Sequence, residues 1–382
     1  MASVFISCGE PSGDLYAAAL VGQLKALDPQ LRVTGFGGER LRAAGATLVG
    51  DFHGLAVTGL SEAVRVLPRS LAMYRRLVRA ARDERPDVFV AIDFPDFNFR
   101  VAAAMRRLGV PVVYYIPPQL WAWRSGRMRT LGALADRILV IFPFEPEIYR
   151  TAGTPATFVG HPLVELASTS SSRAAFLAGL GLDPRRPTLG LLPGSRPNEV
   201  RQLLSTLVAS IPLIVGRVPG LQLVLARAPG LSDALFSPLS AASSPVAVVE
   251  RRTDDVLASV DAVVTASGTA TVQAAIHLCP MVIVYRVSPL TYRIGRRFVH
   301  VDAFGMVNLV AGARVAPELI QDDFTPGAVA NEAVRLLTDA DARKETRAAL
   351  EIVRSRLGGE GASRRAANIV LETVRSGQRF VY

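Results

Sequence analysis

The sequence predicts an α/β protein of two Rossmann-like, doubly wound domains facing a cleft, with helices at the C-terminus. Three observations predict this class. Short β-branched runs alternate with longer helical patterns through both halves, which implies right-handed βαβ units and mainly parallel sheets. The alternation breaks once, at the Ser/Thr run Ser168–Ser172 and the turn-rich connector Asp183–Pro187. The length of 382 residues suits two domains, and a hydrophobic half of the chain can fill two cores. The boundaries that follow are an N-terminal domain over 1–165, a C-terminal domain over 187–345, and a helical segment over 346–382 that packs back on the N-terminal domain.

In chain order, Val4–Ser7 reads as the first strand, Gly9–Asp14 as a loop and Leu15–Leu27 as a helix. Arg32–Phe36 and Thr47–Val49 follow as strands. Val88–Ile92 is an apolar, buried strand that ends in Asp93, and Val110–Ile116 and Arg137–Ile141 complete the half. The second series comprises Thr188–Leu192, Leu221–Ala226, Val246–Val249, Ala262–Thr265 and Met281–Tyr285, and Thr325–Val374 reads as helical. Ligands of such sheets bind beyond the carboxyl ends of the strands.

The net charge is +10, carried almost wholly by arginine, with Lys25 and Lys344 the only lysines. An excess of this sign fits nucleic acid, an anionic membrane or a phosphorylated substrate. Arginine's planar fork suits phosphate in particular. Cys8 and Cys279 sit in apolar contexts without disulfide or metal spacing, and read as buried thiols of a reducing compartment. The N-terminus lacks the charged region of a signal peptide, and no apolar run approaches the roughly 20 residues of a membrane span. The expectation is a cytoplasmic protein able to rest on a membrane surface. His53, His161, His277 and His300 show no ligand spacing, and Asp339-Ala340-Asp341 reads as a helix cap. Neither a Walker A loop nor a complete Gly-x-Gly-x-x-Gly is present, so no metal or cofactor is expected.

Several motifs fall at strand ends. Ala262–Thr265 turns through Ser267 and Gly268 into a helix that starts near Thr269 and contains Gln273. Such a helix end attracts anions through free N–H groups and the helix dipole, with Ser267 or Thr269 as N-cap; an ordinary βα turn has the same composition. Leu191–Arg196 closes the first strand of the second domain, and Pro197-Asn198-Glu199 opens a helix, so Arg196 and a helix N-terminus can converge on a diphosphate. Glu10 and Ser12 follow the first strand and can bind a hydroxyl-rich acceptor; capping by Ser12 or Asp14 is the alternative. Asp93, in an aromatic setting, is a candidate general base if desolvation raises its pKa, and a turn aspartate otherwise. Asp96 is the more turn-like of the pair, and Asn98 can brace the turn. Trp121 and Trp123 beside Arg124 fit a sugar, an acyl chain or a domain core equally well. Asn308, in an apolar loop, needs backbone or ligand partners if buried. Ser61–Arg82 is an amphipathic core helix interrupted or started at Pro68, or a surface that enters an anionic bilayer.

Together GEPSGD, IDFPDFN, PPQLWAWR, FVGHP, LPGSR, ASGTAT, NLVAG and, near the C-terminus, LGGEGA resemble the lipid-A-disaccharide synthases in identity, order and spacing. The resemblance implies an inverting glycosyltransferase of the GT-B fold that needs no metal. It would transfer 2,3-diacylglucosamine from UDP-2,3-diacylglucosamine to the 6-hydroxyl of 2,3-diacylglucosamine 1-phosphate. It further implies attachment to the cytoplasmic face of an anionic inner membrane in a Gram-negative cell, a homodimer with exchanged C-terminal parts, and no nucleic-acid partner. Asp93 matches the essential aspartate, Arg196 and Asn308 match positions tied to the UDP donor, and Ser267–Thr271 resembles the nucleotide-phosphate cradle. The membrane context favours the bilayer reading of Ser61–Arg82. Three residues depart from the family pattern. Gln273 stands where glutamate is common, and Tyr16 and Pro117 also replace other residues. A UDP-GlcNAc 2-epimerase of the same fold is the alternative; it would need further carboxylates and a histidine in the cleft.

Overall fold

The computed structural model describes residues 2–52, 60–123, 126–287 and 303–376, with the side chains of 60–66 and 123 outside that description. The chain forms two units, one of residues up to Pro162 together with those from Leu357 onward, the other spanning Leu163–Arg356.

The first unit contains β1 (Ser3–Cys8), α1 (Pro11–Leu27), β2 (Arg32–Gly37), α2 (Glu39–Ala43), β3 (Thr47–Asp51), α3 (Leu60–Glu84), β4 (Val88–Ile92), α4 (Pro95–Arg107), β5 (Val112–Tyr115), α5 (Leu120–Trp123), α6 (Arg127–Leu134), β6 (Arg137–Val140), α7 (Glu145–Thr151) and β7 (Thr157–Phe158). Its seven strands are ordered β3-β2-β1-β4-β5-β6-β7, and every pairing is parallel. The central strands β1 and β4 are buried throughout, which explains their continuous apolar runs. Helix α1 begins at Pro11, not at Leu15, because proline lacks the N–H that a first helical residue leaves unpaired. Asp14 therefore lies inside α1, and its carboxylate accepts from the amides of Gly38 (2.7 Å), Arg40 (3.0 Å) and Leu41 (3.2 Å), capping α2. Helix α3 runs through Pro68 without interruption.

The second unit contains α8 (Leu163–Leu166), α9 (Arg173–Gly179), β8 (Thr188–Leu192), α10 (Pro197–Val215), β9 (Gln222–Arg227), a 3-10 segment (Asp233–Ala241), β10 (Val246–Glu250), α11 (Thr253–Ser259), β11 (Ala262–Ala266), α12 (Thr269–Ile276), β12 (Met281–Tyr285), α13 (Met306–Ala311), β13 (Glu318–Ile320), α14 (Pro326–Thr338) and α15 (Ala340–Arg356). Its strand order is β10-β9-β8-β11-β12-β13, again parallel throughout. Asp339 caps α15 by accepting from Ala342 N at 2.9 Å. Helix α15 stays with this unit, so the chain returns to the first unit after Arg356 rather than after 345, and only α16 (Ala362–Ser376) packs there, against α1.

That return is closed by two of the sequence motifs. His161 N donates to Leu357 O at 2.8 Å, and the Arg365 guanidinium donates to Val159 O, Gly358 O and Glu360 O. Gly358 has φ +93, and a Cβ there would stand 2.9 Å from Gly160 Cα, so only glycine permits the approach. Burial holds the His161 imidazole down at a pKa of about 3, and its ring packs edge-on to Tyr16 and Phe142. It is a neutral structural histidine.

Trp121 belongs to the core region of the first unit. Its indole packs edge-on against Phe144 and donates from Nε1 to Glu145 Oε1 at 3.2 Å. The other oxygen of Glu145 accepts from Ile141 N and Phe142 N. Burial raises the Glu145 pKa from 4.5 to about 7, against the lowering effect of these donors. Between those values the folded protein holds a proton that the unfolded chain has released. The stability from this group is therefore full below about pH 4.5 and lost as the pH rises to about 7, on the order of 3 kcal/mol across the window. Urea unfolding at stepped pH should show Glu145→Gln flattening the decline in unfolding free energy between pH 5 and 7; an unchanged slope would place the carboxylate in water.

Candidate active site

In the first unit the strand order reverses its direction of growth between β1 and β4. The loops leaving these strands diverge there, which opens the crevice where doubly wound sheets bind ligands. Glu10 and Ser12 follow β1, and Asp93 follows β4. Glu10 is the N-cap residue of α1, but its side chain does not cap the helix. A Cβ on Gly9 would stand 2.1 Å from Phe94 Cγ, so the missing side chain is what lets the two turns meet.

Asp93 and Phe94 both have positive φ, +46° and +51°, as does Ile116 (+57°) at the end of β5. Non-glycine residues in this region store about 1–3 kcal/mol each and persist only when their surroundings hold them. Asn98 is what holds them. It is fully buried, its Nδ2 donates to Ser7 O (3.2 Å), Ile92 O (3.2 Å) and Asp93 O (2.8 Å), and its Oδ1 accepts from Ser7 Oγ at 2.6 Å. Tyr114 adds a bond from its hydroxyl to Asp93 O at 2.9 Å, and Asp93 N donates to Ile116 O. Asn98 is thus committed to the backbone and is not a direct substrate contact. Burial, joined by the negative charge of Asp93, holds the phenols of Tyr16 and Tyr114 well above their ordinary values. Asp96 lies at the surface and pairs with Arg127 at 3.0 Å.

In the second unit the order reverses between β8 and β11. The loop after β8 carries Arg196, and the loop after β11 carries Ser267 and Gly268. Gly268 is the N-cap of α12 with φ +146°, and open space lies where its Cβ would be. Neither Ser267 nor Thr269 caps the helix, because Ser267 Oγ donates instead to Phe304 O at 3.0 Å. Gly268 and Thr269 are exposed, and among the described residues no side chain caps the start of α12. The start of α10 differs. Glu199 Oε2 accepts from Ser195 N (2.8 Å) and Arg196 N (3.2 Å), so this helix end carries its own anion. The half-exposed Arg196 guanidinium stands 3.8 Å from Glu199 Oε1. At the end of β12, burial and the Glu199 charge raise the Tyr285 phenol, and Arg196 lowers it.

Asn308 is buried with all its capacity used. Nδ2 donates to Ala316 O (2.9 Å) and Glu318 Oε1 (2.8 Å), and Oδ1 accepts from Val315 N and Ala316 N. Like Asn98 it positions backbone rather than ligand. Glu318 in turn accepts from Phe304 N and Gly305 N at the start of α13. Gln273 Nε2 donates to Asp254 Oδ1 at 3.1 Å, and His277 Nε2 meets the same oxygen at 2.9 Å. Among the described residues no cluster of His, Cys, Asp and Glu forms a metal site. Arg124, His53 and His300 lie outside the described residues.

The family model described as lipid-A-disaccharide synthetase matches residues 4–373. The chain is 46% identical over 370 residues to a lipid-A-disaccharide synthase of Geobacter metallireducens, covering 97% of this chain and 96% of that one. The chain belongs to the lipid-A-disaccharide synthase family. A second such synthase, from Geobacter sulfurreducens, is 44% identical over 373 residues, with 97% and 96% coverage. Among solved structures, a UDP-GlcNAc 2-epimerase from Neisseria meningitidis bound to UDP-GlcNAc superposes with a TM-score of 0.69 at 12% identity, over 98% of this chain and 100% of that one. At that identity the likeness is one of fold, the GT-B arrangement of two parallel-sheet units. As a lipid-A-disaccharide synthase family member the chain is a hexosyltransferase of lipid A biosynthesis, and the epimerase alternative gives way to it.

The sequence alone did not show the residues that support these candidates: Ser7 and Tyr114 at the Asp93 turn, Glu199 at the α10 start, Glu318 beside Asn308, and Asp254 beside Gln273. Glu199 alone had a local signal, a glutamate at the third helical position. Replacing Asn98 by Ala leaves several buried polar groups unpaired beneath a strained turn. Chemical denaturation should register a loss of about 3 kcal/mol; a loss within experimental error would mean the turn holds itself.

Proposed function

We propose that the chain transfers 2,3-diacylglucosamine from UDP-2,3-diacylglucosamine to the 6-hydroxyl of 2,3-diacylglucosamine 1-phosphate, giving the β-1,6 disaccharide 1-phosphate and UDP. The observation that carries this reading is the coincidence of motif and topology in each unit: Glu10 and Asp93 flank one strand-order reversal, Arg196 and Gly268 the other. The first unit is then the acceptor side and the second the donor side.

Asp93 takes the proton of the 6-hydroxyl as that oxygen attacks the anomeric carbon. The bond from that carbon to the diphosphate oxygen breaks, UDP leaves with the electron pair, and the configuration inverts. Negative charge grows on the diphosphate, where the open N-terminus of α12 and the Arg196 guanidinium stabilise it. Ser267 and Thr269 shape that end, and Gln273 keeps its carbonyl oxygen for a ribose hydroxyl. Glu10 and Ser12 bind acceptor hydroxyls, while Asn98 and Asn308 position the two loops. No metal enters the scheme.

Both substrates are lipids, and Leu67 and Leu71 on α3 are 55% and 44% exposed near Arg69, Arg75 and Arg76. This face suits the anionic cytoplasmic surface of the inner membrane. Among the described residues no helix is long and apolar enough to cross a membrane. The C-terminal return through α16 is the part that a homodimer with exchanged ends would swap.

Two measurements test the reading. Asp93→Asn should lower kcat by about 10²–10⁴-fold while UDP affinity, by calorimetry, stays at the wild-type value; near-normal turnover would remove Asp93 from the mechanism. Leu67→Glu combined with Leu71→Glu should weaken sedimentation with phosphatidylglycerol vesicles by at least about tenfold without altering the circular dichroism spectrum. Undiminished sedimentation would move the membrane contact elsewhere.

A further inference from the structure

Next to the Arg196 loop, a groove of about 550 Å³ runs between α10 and the segment Asp233–Ala241. Its α10 wall includes Pro197, Val200, Arg201 and Ser205, spaced three and four residues apart, so the groove follows one helix face away from the N-terminus. Val200 and Leu231 are buried beneath it, and half-buried Pro197, Leu235 and Pro238 give it an apolar surface. Among the described residues, the lining contains no aromatic ring on which a base could stack and no carboxylate to accept from a ribose. Arg201 is its one charged residue, and that guanidinium is occupied by Asn198 Oδ1 at 2.8 Å. The volume falls within the range of small-molecule sites.

We infer that this groove is the subsite for an acyl chain of the sugar-nucleotide donor. The inference rests on the reading of the second unit as the donor side. Arg196 directly precedes Pro197 at the start of α10, so a diphosphate held at Arg196 brings its sugar to the mouth of the groove. A chain attached to that sugar then runs along the α10 face toward Ser205, leaving water for the apolar surface of Leu235 and Pro238.

Calorimetry on the full chain tests this with UDP and with UDP-glucosamine carrying either an N-butanoyl or an N-decanoyl group. The decanoyl compound should bind more tightly than the butanoyl one, by roughly tenfold for every two methylenes buried. Ser205→Trp should abolish that difference while leaving UDP affinity unchanged. Ser237→Trp, on the opposite wall and exposed, does the same without touching α10. Equal affinity for the two chains, or a chain-length effect that survives both variants, would overturn the subsite while leaving UDP binding intact. Failure of UDP itself to bind would instead remove the donor-side reading, and the subsite with it.

Discussion

One buried amide holds the first unit's site together. Asn98 ties the end of β1, through Ser7, to the end of β4, through Ile92 and Asp93. Two consecutive residues there, Asp93 and Phe94, sit at positive φ without being glycine. Their combined strain, on the order of 2–6 kcal/mol, needs an opposing interaction. Burial makes the Asn98 bonds able to supply it, since breaking them would leave unpaired polar groups in the core. What this fixes is the backbone of the distorted turn that carries Asp93 at the sheet's reversal point.

The second unit solves the same problem with Asn308 and Glu318. Asn308 satisfies both faces of its amide on the loop before β13, and its orientation is set because its oxygen meets two N–H groups and its nitrogen meets two acceptors. Glu318 passes that order on to Phe304 and Gly305, and Phe304 receives the Ser267 hydroxyl. The exposed turn at Gly268 is therefore anchored through Ser267, whose N–H also donates to Val284 O. Rigid support under an open helix end is what a preorganised anion site requires.

The fold was legible because parallel sheets buried on both faces write themselves as short apolar runs, as in Val88–Ile92 and Ala262–Thr265. The short strands Thr157–Phe158 and Glu318–Ile320 were not, since two or three residues carry no periodicity. Asp93 and Arg196 were legible as site candidates because each ends a strand. The role of Asn98 was half legible: a brace was foreseen, but its partner Ser7 lies far away in sequence, and only the β1–β4 pairing brings them together. Asn308 was left open between backbone and ligand, and the surroundings of Gln273 were not legible, because a side chain's distant partners are not visible in the sequence. Ala316, Glu318 and Asp254 became visible as those partners only once the chain was folded.

Glu199 poses the sharpest electrostatic question, because it places a carboxylate at a helix end otherwise suited to a diphosphate. Its bonds to Ser195 N and Arg196 N fix the backbone of the loop that carries Arg196. The same carboxylate faces Arg196, but at 3.8 Å and with the guanidinium half exposed the pair adds little stability. In the proposed reaction a doubly charged diphosphate would compete with this weak pairing for Arg196. Among the described residues no atom beyond its chain neighbours lies within 4 Å of where a Gly268 Cβ would stand. In the proposed reaction the diphosphate would therefore meet backbone at the start of α12, while the start of α10, already carrying Glu199, would contribute the Arg196 side chain.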